Sequence, residues 1–204
     1  MRILSAVFTL FTVFTSLTGC DSSTSADSKV VPLKIPSYAT RTDAEHERDQ
    51  YRHPAQTLQF FDVQPHHTVV EIWPGSGWYS AILAPYLRTK GKFIAAHWPR
   101  TSMVEYFSAT RKEYEQRFTQ HRDVYGNIDI VELEPPTHMN LGEAGQADRV
   151  LTFRNVHNWM RNGQEQAVFD AAHLALKRGG ILGVVEHRAP QDFSREQMIE
   201  SGYV

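Results

Sequence analysis

Five short β-branched or apolar runs, separated by stretches of helical character, set the strongest limit on this fold. They are Thr68–Ile72, Lys92–Ala96, Ile128–Leu133, Arg149–Phe153 and Ile181–Val185. Between them lie helical patterns at Tyr79–Leu87, Thr101–His121 and Gln164–Lys177, the last followed by Gly179-Gly180, a pair suited to a left-handed helix stop. Strands alternating with helices imply a parallel sheet covered on both faces, and so an α/β domain. Pro135 to Gln146 is expected to be a loop. Ahead of the first strand, Asp43–Arg52 is expected to be helical. A second short helix opens at His53-Pro54, with Leu58, Phe60, Phe61 and Val63 as its apolar face.

The junction of the first strand with its helix reads Glu71-Ile72-Trp73-Pro74-Gly75-Ser76-Gly77-Trp78-Tyr79-Ser80. Glycines let a backbone turn sharply and approach a ligand closely, and the helix behind them presents free N–H groups and a positive dipole end. In an open α/β sheet this is where ligands bind. Gly75 is expected to need a positive φ. Gly77 is expected to lie where a ligand enters and to accept an alanine as part of a first helical turn. Trp73 and Trp78 flank the turn, either stacking on a ligand or packing the turn itself.

The motif resembles the first motif of class I S-adenosylmethionine-dependent methyltransferases, an acidic residue followed by G-x-G at the same strand-to-helix turn. Glu71, Gly75 and Gly77 match it. More narrowly, the chain looks like a group of exported bacterial proteins named as predicted methyltransferases. The segments carrying that likeness are Tyr51-Arg52-His53-Pro54, Glu71 to Tyr79, Leu83-Ala84-Pro85-Tyr86-Leu87, Arg154-Asn155-Val156-His157-Asn158-Trp159 and Glu186-His187-Arg188. The resemblance covers residues 38–204. It implies a Rossmann-like, methyltransferase-type open parallel sheet in the strand order 3-2-1-4-5, S-adenosylmethionine as cofactor and a small-molecule acceptor of unknown identity.

By the same resemblance Glu71, Pro74, Gly75 and Gly77 form the cofactor cradle, with Glu132 near the adenine. The ribose-binding carboxylate that such enzymes carry at the end of strand two has no counterpart in Ala95-Ala96-His97-Trp98, and His97 is the candidate for that role. The loop after the fourth strand lines the same crevice in the expected order. Asn155 and His157 are therefore placed near the acceptor, His157 as a general base because histidine titrates near neutrality. The competing reading makes this loop a set of Asn turns with Trp159 as a core plug. Glu186 is read either as a rim residue or as half of an internal salt bridge. The sequence ends after the fifth strand, so the C-terminal strand hairpin of the fold is expected to be missing and strand five to be an exposed, association-prone edge.

Charge and composition narrow the alternatives. The formal net charge is −2, without the basic footprint of a nucleic-acid binder. The 10 histidines do not fall at metal-binding spacings. The single cysteine, Cys20, excludes a disulfide within the chain.

Met1-Arg2 precedes an apolar run from Ile3 to Leu17, shorter than the roughly 20 residues that span a bilayer. Leu17-Thr18-Gly19-Cys20 resembles a bacterial lipobox. The expected organisation is a lipoprotein signal peptide at 1–19, a Ser/Thr/Asp-rich tether at 20–37 and the α/β domain from 38. The domain would then be held at the bacterial cell envelope by lipid on Cys20. Two functions remain open. One is methyl transfer; the other is a membrane-tethered, non-catalytic module that binds a metabolite or a partner, since S-adenosylmethionine is made in the cytoplasm. Mass spectrometry of the membrane-extracted protein is expected to show loss of residues 1–19 and a diacylglyceryl adduct on Cys20; a full-length, water-soluble product would refute the anchor.

Overall fold

The computed structural model describes residues 41–204, so the expected signal peptide, Cys20 and the whole of the expected tether lie outside the described residues. The sheet has six strands: β1 (Thr68–Ile72), β2 (Lys92–His97), β3 (Ile128–Glu134), β4 (His138–Met139), β5 (Ala147–Phe153) and β6 (Leu176–Val185). Their order is β4-β3-β2-β1-β5-β6. All pairings are parallel except β3 with β4. Once the two-residue β4 is set aside, this is the order expected from the sequence. The chain reverses direction across the sheet between β1 and β5, and their C-terminal ends open onto the crevice that such a switch creates.

Nine helices are described: α1 (Asp43–Glu47), α2 (Asp49–Arg52), α3 (Pro54–Phe60), α4 (Ser80–Leu87), α5 (Glu105–Gln120), α6 (Arg122–Tyr125), α7 (Val156–Arg161), α8 (Glu165–Ala175) and α9 (Arg195–Ser201). The alternation of β1 sorts its side chains between two cores. Val69 packs with Leu83 and Leu87 of α4 and with Tyr114 and Phe118 of α5. Val70 and Ile72 pack on the other side with Trp159 of α7 and Val168 and Ala172 of α8.

Before β1, the buried Arg149 of β5 ties down the end of α3. Its Nε donates to the Phe61 carbonyl at 2.6 Å and its Nη2 to Asp62 Oδ2 at 2.6 Å. Thr42 and Glu45 form a capping box on α1, and Arg117 of α5 reaches Glu45 at 2.8 Å. Trp78 Nε1 donates to the Glu45 carbonyl at 3.1 Å. These contacts seat the N-terminal helices on the turn after β1.

Several local expectations are corrected. Phe60 is 82% exposed, whereas Leu58, Phe61 and Val63 are buried; only these three form the inner face. The segment 135–146 is not all loop, since His138–Met139 pairs back on β3. Helix α8 stops at Ala175 without a glycine cap, and β6 begins at once. Gly179, at φ 81°, instead serves a bulge in β6, where the register jumps from Ala147↔Leu176 to Arg149↔Ile181. A bulge needs the same left-handed conformation as a helix stop, so the sequence signal is shared.

Strand β6 is the sheet edge, with Ile181 38% and Val184 39% exposed. After it, α9 returns the chain so that Val204 N donates to the His187 carbonyl at 2.9 Å and Ala189 N to the Val204 carbonyl at 3.0 Å. This covers the chain just past β6 and leaves the strand itself open. On its inner side β6 lies tight on the core. A Cβ at Gly183 would come within 2.6 Å of Leu151 and 2.9 Å of the Phe61 ring. Gly183→Ala is expected to destabilise the domain by about 1–3 kcal/mol in denaturant unfolding; an unchanged midpoint would show that this contact relaxes without cost.

Candidate active site

The turn after β1 is held in a backbone conformation that L-residues rarely adopt. Trp73 has φ 47°, Gly75 φ 59° and Gly77 φ 85°. A left-handed tryptophan is costly and persists only where its surroundings fix it. Here Trp73 N donates to the Ala96 carbonyl at 2.9 Å, and its indole Nε1 donates to the Leu133 carbonyl at 2.8 Å. The ring packs between Trp98, Phe107 and Trp159 at centroid distances of 5.4, 6.0 and 5.9 Å.

The two glycines of the motif do different work. A Cβ on Gly75 would meet nothing within 4 Å, and Gly75 borders the cavity. A Cβ on Gly77 would stand 2.4 and 2.6 Å from the Phe118 ring and 2.9 Å from Tyr114. Gly77 therefore faces α5 and the core rather than a ligand. The expectation that it lines the entry and accepts alanine is corrected, because both the φ and the packing oppose a side chain there.

Beneath the turn, Glu71 is buried. Ser80 Oγ donates to Glu71 Oε2 at 2.6 Å, and Tyr114 Oη donates to Ser80 Oγ at 3.0 Å. Burial raises the Glu71 pKa to about 8, while the Ser80 hydrogen bond and the Arg52 charge act in the other direction. Glu71 also borders the cavity.

His97 is fully buried, and both of its ring nitrogens are engaged. Nδ1 accepts the Trp98 N–H at 2.8 Å, so the proton sits on Nε2, which donates to the Gly75 carbonyl at 3.0 Å. Burial lowers its pKa to about 4 and keeps it neutral. His97 props the glycine turn from below and does not offer a nitrogen to a ligand hydroxyl. This corrects its assignment as a ribose-binding residue.

The cavity above the turn measures about 720 Å³. Glu71, Pro74, Gly75 and Ser76 line its base. One wall is aromatic: Trp98 and Phe107 stack at 4.3 Å with an interplanar angle of 3°, and Tyr106 stands 5.9 Å from Trp98. Glu134, which accepts from Ser102 Oγ at 2.7 Å, reaches the same space. The opposite side carries Arg48, Arg52, Trp78, Tyr79 and Phe153.

Asn155 and Asn158 also face the cavity. The Nδ2 of Asn155 donates to the Ile72 carbonyl at 3.0 Å and to Thr152 Oγ1 at 3.1 Å, clamping the ends of β1 and β5 together. Glu132, in contrast, opens onto a separate hollow beside Arg100, His138 and Asn140, so of the two glutamates that end β3 only Glu134 borders the main cavity.

His157 does not border the cavity. Its Nδ1 lies 3.5 Å from Glu186 Oε2, while Glu186 Oε1 accepts the Val156 N–H at 2.7 Å, at the start of α7. The assignment of His157 as a base at the acceptor is corrected. A first-turn residue of α7 points back to the carboxylate that caps that helix. Glu186 thus faces inward, towards His157 and the start of α7, and does not line the cavity, and Trp159, fully buried, is a core plug. Among the described residues no cluster of three or more metal-binding side chains exists, and no helix is long and apolar enough to cross a membrane.

The cavity residues that sequence reasoning missed include Arg48, Arg52, Arg161 and the group Trp98, Tyr106 and Phe107. The aromatic spacing directly after β2 was a usable signal. The position of Arg48 and Arg52 depends on how the N-terminal helices dock, which no local pattern encodes.

Glu71 gives a pH test with a defined sign. Unfolded, its carboxyl ionises near 4.5; folded, it holds its proton to about 8. The unfolded state therefore sheds a proton first, and the contribution of Glu71 to stability falls as pH rises from 4.5 towards 8. Glu71→Gln, which keeps an acceptor for Ser80, is expected to gain melting temperature relative to the wild type progressively across that window. A pH-independent difference would show that Glu71 is ionised in the folded protein.

No protein-family model and no curated protein matches the sequence. Solved structures do match in fold. A SAM-dependent methyltransferase from Aquifex aeolicus aligns with a TM-score of 0.57 at 15% identity, over 74% of this chain and 74% of its own. A Bacillus halodurans protein assigned to the methyltransferases aligns at 0.54 and 15% identity, over 69% of this chain and 53% of its own. The glycopeptide N-methyltransferase MtfA, solved with S-adenosylhomocysteine, aligns at 0.51 and 12% identity, over 67% and 49%. This chain thus spans about half the length of the last two. The sheet order, the glycine turn after β1 and these alignments together establish that the domain has the Rossmann-like fold of S-adenosylmethionine-dependent methyltransferases.

Proposed function

We propose that the domain binds S-adenosylmethionine and passes its methyl group to a small acceptor, and that lipid on Cys20 holds it at the cell envelope. The observation carrying this reading is the open face of Gly75, at the floor of an aromatic-walled cavity on the C-terminal ends of the strands. The residues fit the cofactor in three respects. The backbone at Gly75 leaves room for close approach. Trp98 and Phe107 offer flat apolar surface for a purine. Glu134, braced by Ser102, supplies a carboxylate at the end of β3, where β2 supplies none.

S-adenosylmethionine contributes a methyl group on a positively charged sulfur, which keeps the C–S bonding electrons when an acceptor lone pair takes the carbon. The protein's share is placement and exclusion of water. Asn155 fixes the rim by joining β1 to β5, and the buried Glu71 places a carboxyl beneath the turn. The acceptor's proton leaves to Glu134 or to water, since His157 is turned away.

A second reading, a tethered binding module without catalysis, is favoured by the engagement of both His97 ring nitrogens within the protein and by the absence of His157 from the cavity lining. Calorimetry with S-adenosylmethionine and S-adenosylhomocysteine separates the cofactor reading from a module for another ligand. The wild type is expected to bind both. Gly75→Asn, which tolerates the left-handed backbone but places a side chain in the cavity, is expected to lose tenfold or more in affinity, roughly 1.4 kcal/mol. No binding of either compound at millimolar concentration would remove the cofactor reading.

A further inference from the structure

Beside the main cavity, and sharing Arg48, Arg52, Tyr79 and Phe153 with it, lies a hollow of about 420 Å³. Arg154, at the end of β5, closes it. Three guanidinium groups from two distant parts of the chain thus meet over one small space. Six of the described arginines elsewhere in the domain are matched with acids, among them Arg41 with Asp49, Arg111 with Glu115, Arg117 with Glu45 and Arg149 with Asp62, whereas Arg88, Arg122, Arg161, Arg178 and Arg188 are not, and none of those five lines this hollow. Among the described residues no carboxylate forms an ion pair with Arg48, Arg52 or Arg154. Asp49, the acid nearest in sequence to Arg48 and Arg52, is taken by Arg41 at 2.6 Å.

The convergence is felt electrically. Burial first, and then the Arg48 and Arg154 charges, lower the pKa of Arg52, with Tyr79 and Glu71 opposing. The Arg52 guanidinium sits over the Trp78 ring at 4.8 Å from its centroid, which positions it without neutralising it. Arg154 is held at φ 63°, with its N–H donating to the Val185 carbonyl at 2.8 Å. Arg52 is half-buried while Arg48 and Arg154 are exposed; an anion seated among them would relieve their mutual repulsion, and guanidinium groups match oxyanions in pairs of parallel hydrogen bonds. The rest of the lining is mostly aromatic and apolar: Tyr51, Tyr79 and Phe153, the last two stacked at 3.6 Å, and Val185, with the His187 imidazole beside them.

We infer that this hollow is a specificity pocket for an oxyanion, a carboxylate or a phosphate, carried by an acceptor with an aromatic or apolar body. The inference rests on the methyl-transfer reading for the word acceptor, but the anion site stands on its own geometry. Arg154 borders only this hollow and Arg48 and Arg52 border both spaces, so a ligand gripped here extends towards the glycine turn.

The test is calorimetric titration of the full chain with benzoate and with phenyl phosphate, benzyl alcohol serving as the uncharged control. Both anions are expected to bind more tightly than the control and to weaken with added salt. The tighter of the two identifies the oxyanion class. Arg154→Gln is expected to weaken anion binding by about fivefold or more, as loss of one partly exposed charged contact should. Arg154→Lys should retain more of it, and S-adenosylhomocysteine affinity should stay within about twofold of the wild type in the same variants. Anions that bind no better than benzyl alcohol, or that ignore the Arg154 substitution, would overturn the pocket. If Arg154→Gln weakens S-adenosylhomocysteine alongside the anions, the hollow holds the cofactor's own carboxylate and the acceptor assignment is overturned. If the wild type binds the anions but not S-adenosylhomocysteine, the methyl-transfer reading fails while the pocket remains.

Discussion

A carboxyl group taken out of water at the end of the first strand organises everything around it. Glu71 accepts a hydrogen bond from Ser80, and Ser80 accepts one from Tyr114, so strand, following helix and the long fifth helix are joined through one buried polar chain. A polar group buried this deeply destabilises unless its hydrogen bonds are made, which restricts how the surrounding elements can shift. The left-handed turn directly above inherits that restriction. His97 holds it through the Gly75 carbonyl, and Phe118 presses on Gly77 from below.

With the turn fixed, the two sides of the crevice take separate characters. Towards β3, aromatic rings and Glu134 suit a flat, hydrogen-bonding ligand. Towards β5 and β6, arginines from α2, from the residue linking α1 to α2 and from the end of β5 gather around stacked Tyr79 and Phe153. The division follows from topology. The helices preceding β1 are drawn over the turn by Glu45, which Trp78 and Arg117 both engage, so residues far upstream of the sheet complete the site.

How much of this was legible in the sequence depended on the range of the signal. The β-branched runs placed the five main strands, because a strand buried on both faces reads as a short continuous apolar run; their order came from the resemblance and not from the runs. The acid-glycine turn was legible as a local pattern too. What failed was orientation. Gly75 and Gly77 look equivalent in sequence, yet one faces open space and the other a phenylalanine ring, a difference set by where α5 packs. His97 and His157 carried the right chemistry at the right strand ends. The Trp98 N–H and the Gly75 carbonyl absorbed the first, and the second was turned away from the cavity, towards Glu186. Which way a side chain turns is decided by residues far along the chain, such as Glu186 on the Val156 N–H, and leaves no trace in spacing.

The distribution of indole rings has an optical consequence. Of the 4 tryptophans in the chain, Trp73, Trp78 and Trp98 border the cavity, and Trp159 lies 5.9 Å from Trp73 in the core behind it. The chain's intrinsic emission is therefore concentrated at this one place rather than spread through the domain. Anything that enters, dries or recharges the cavity changes the surroundings of most of the emitting groups at once. The protein carries, in the residues that shape its crevice, a built-in fluorescent reporter of the crevice's own occupancy.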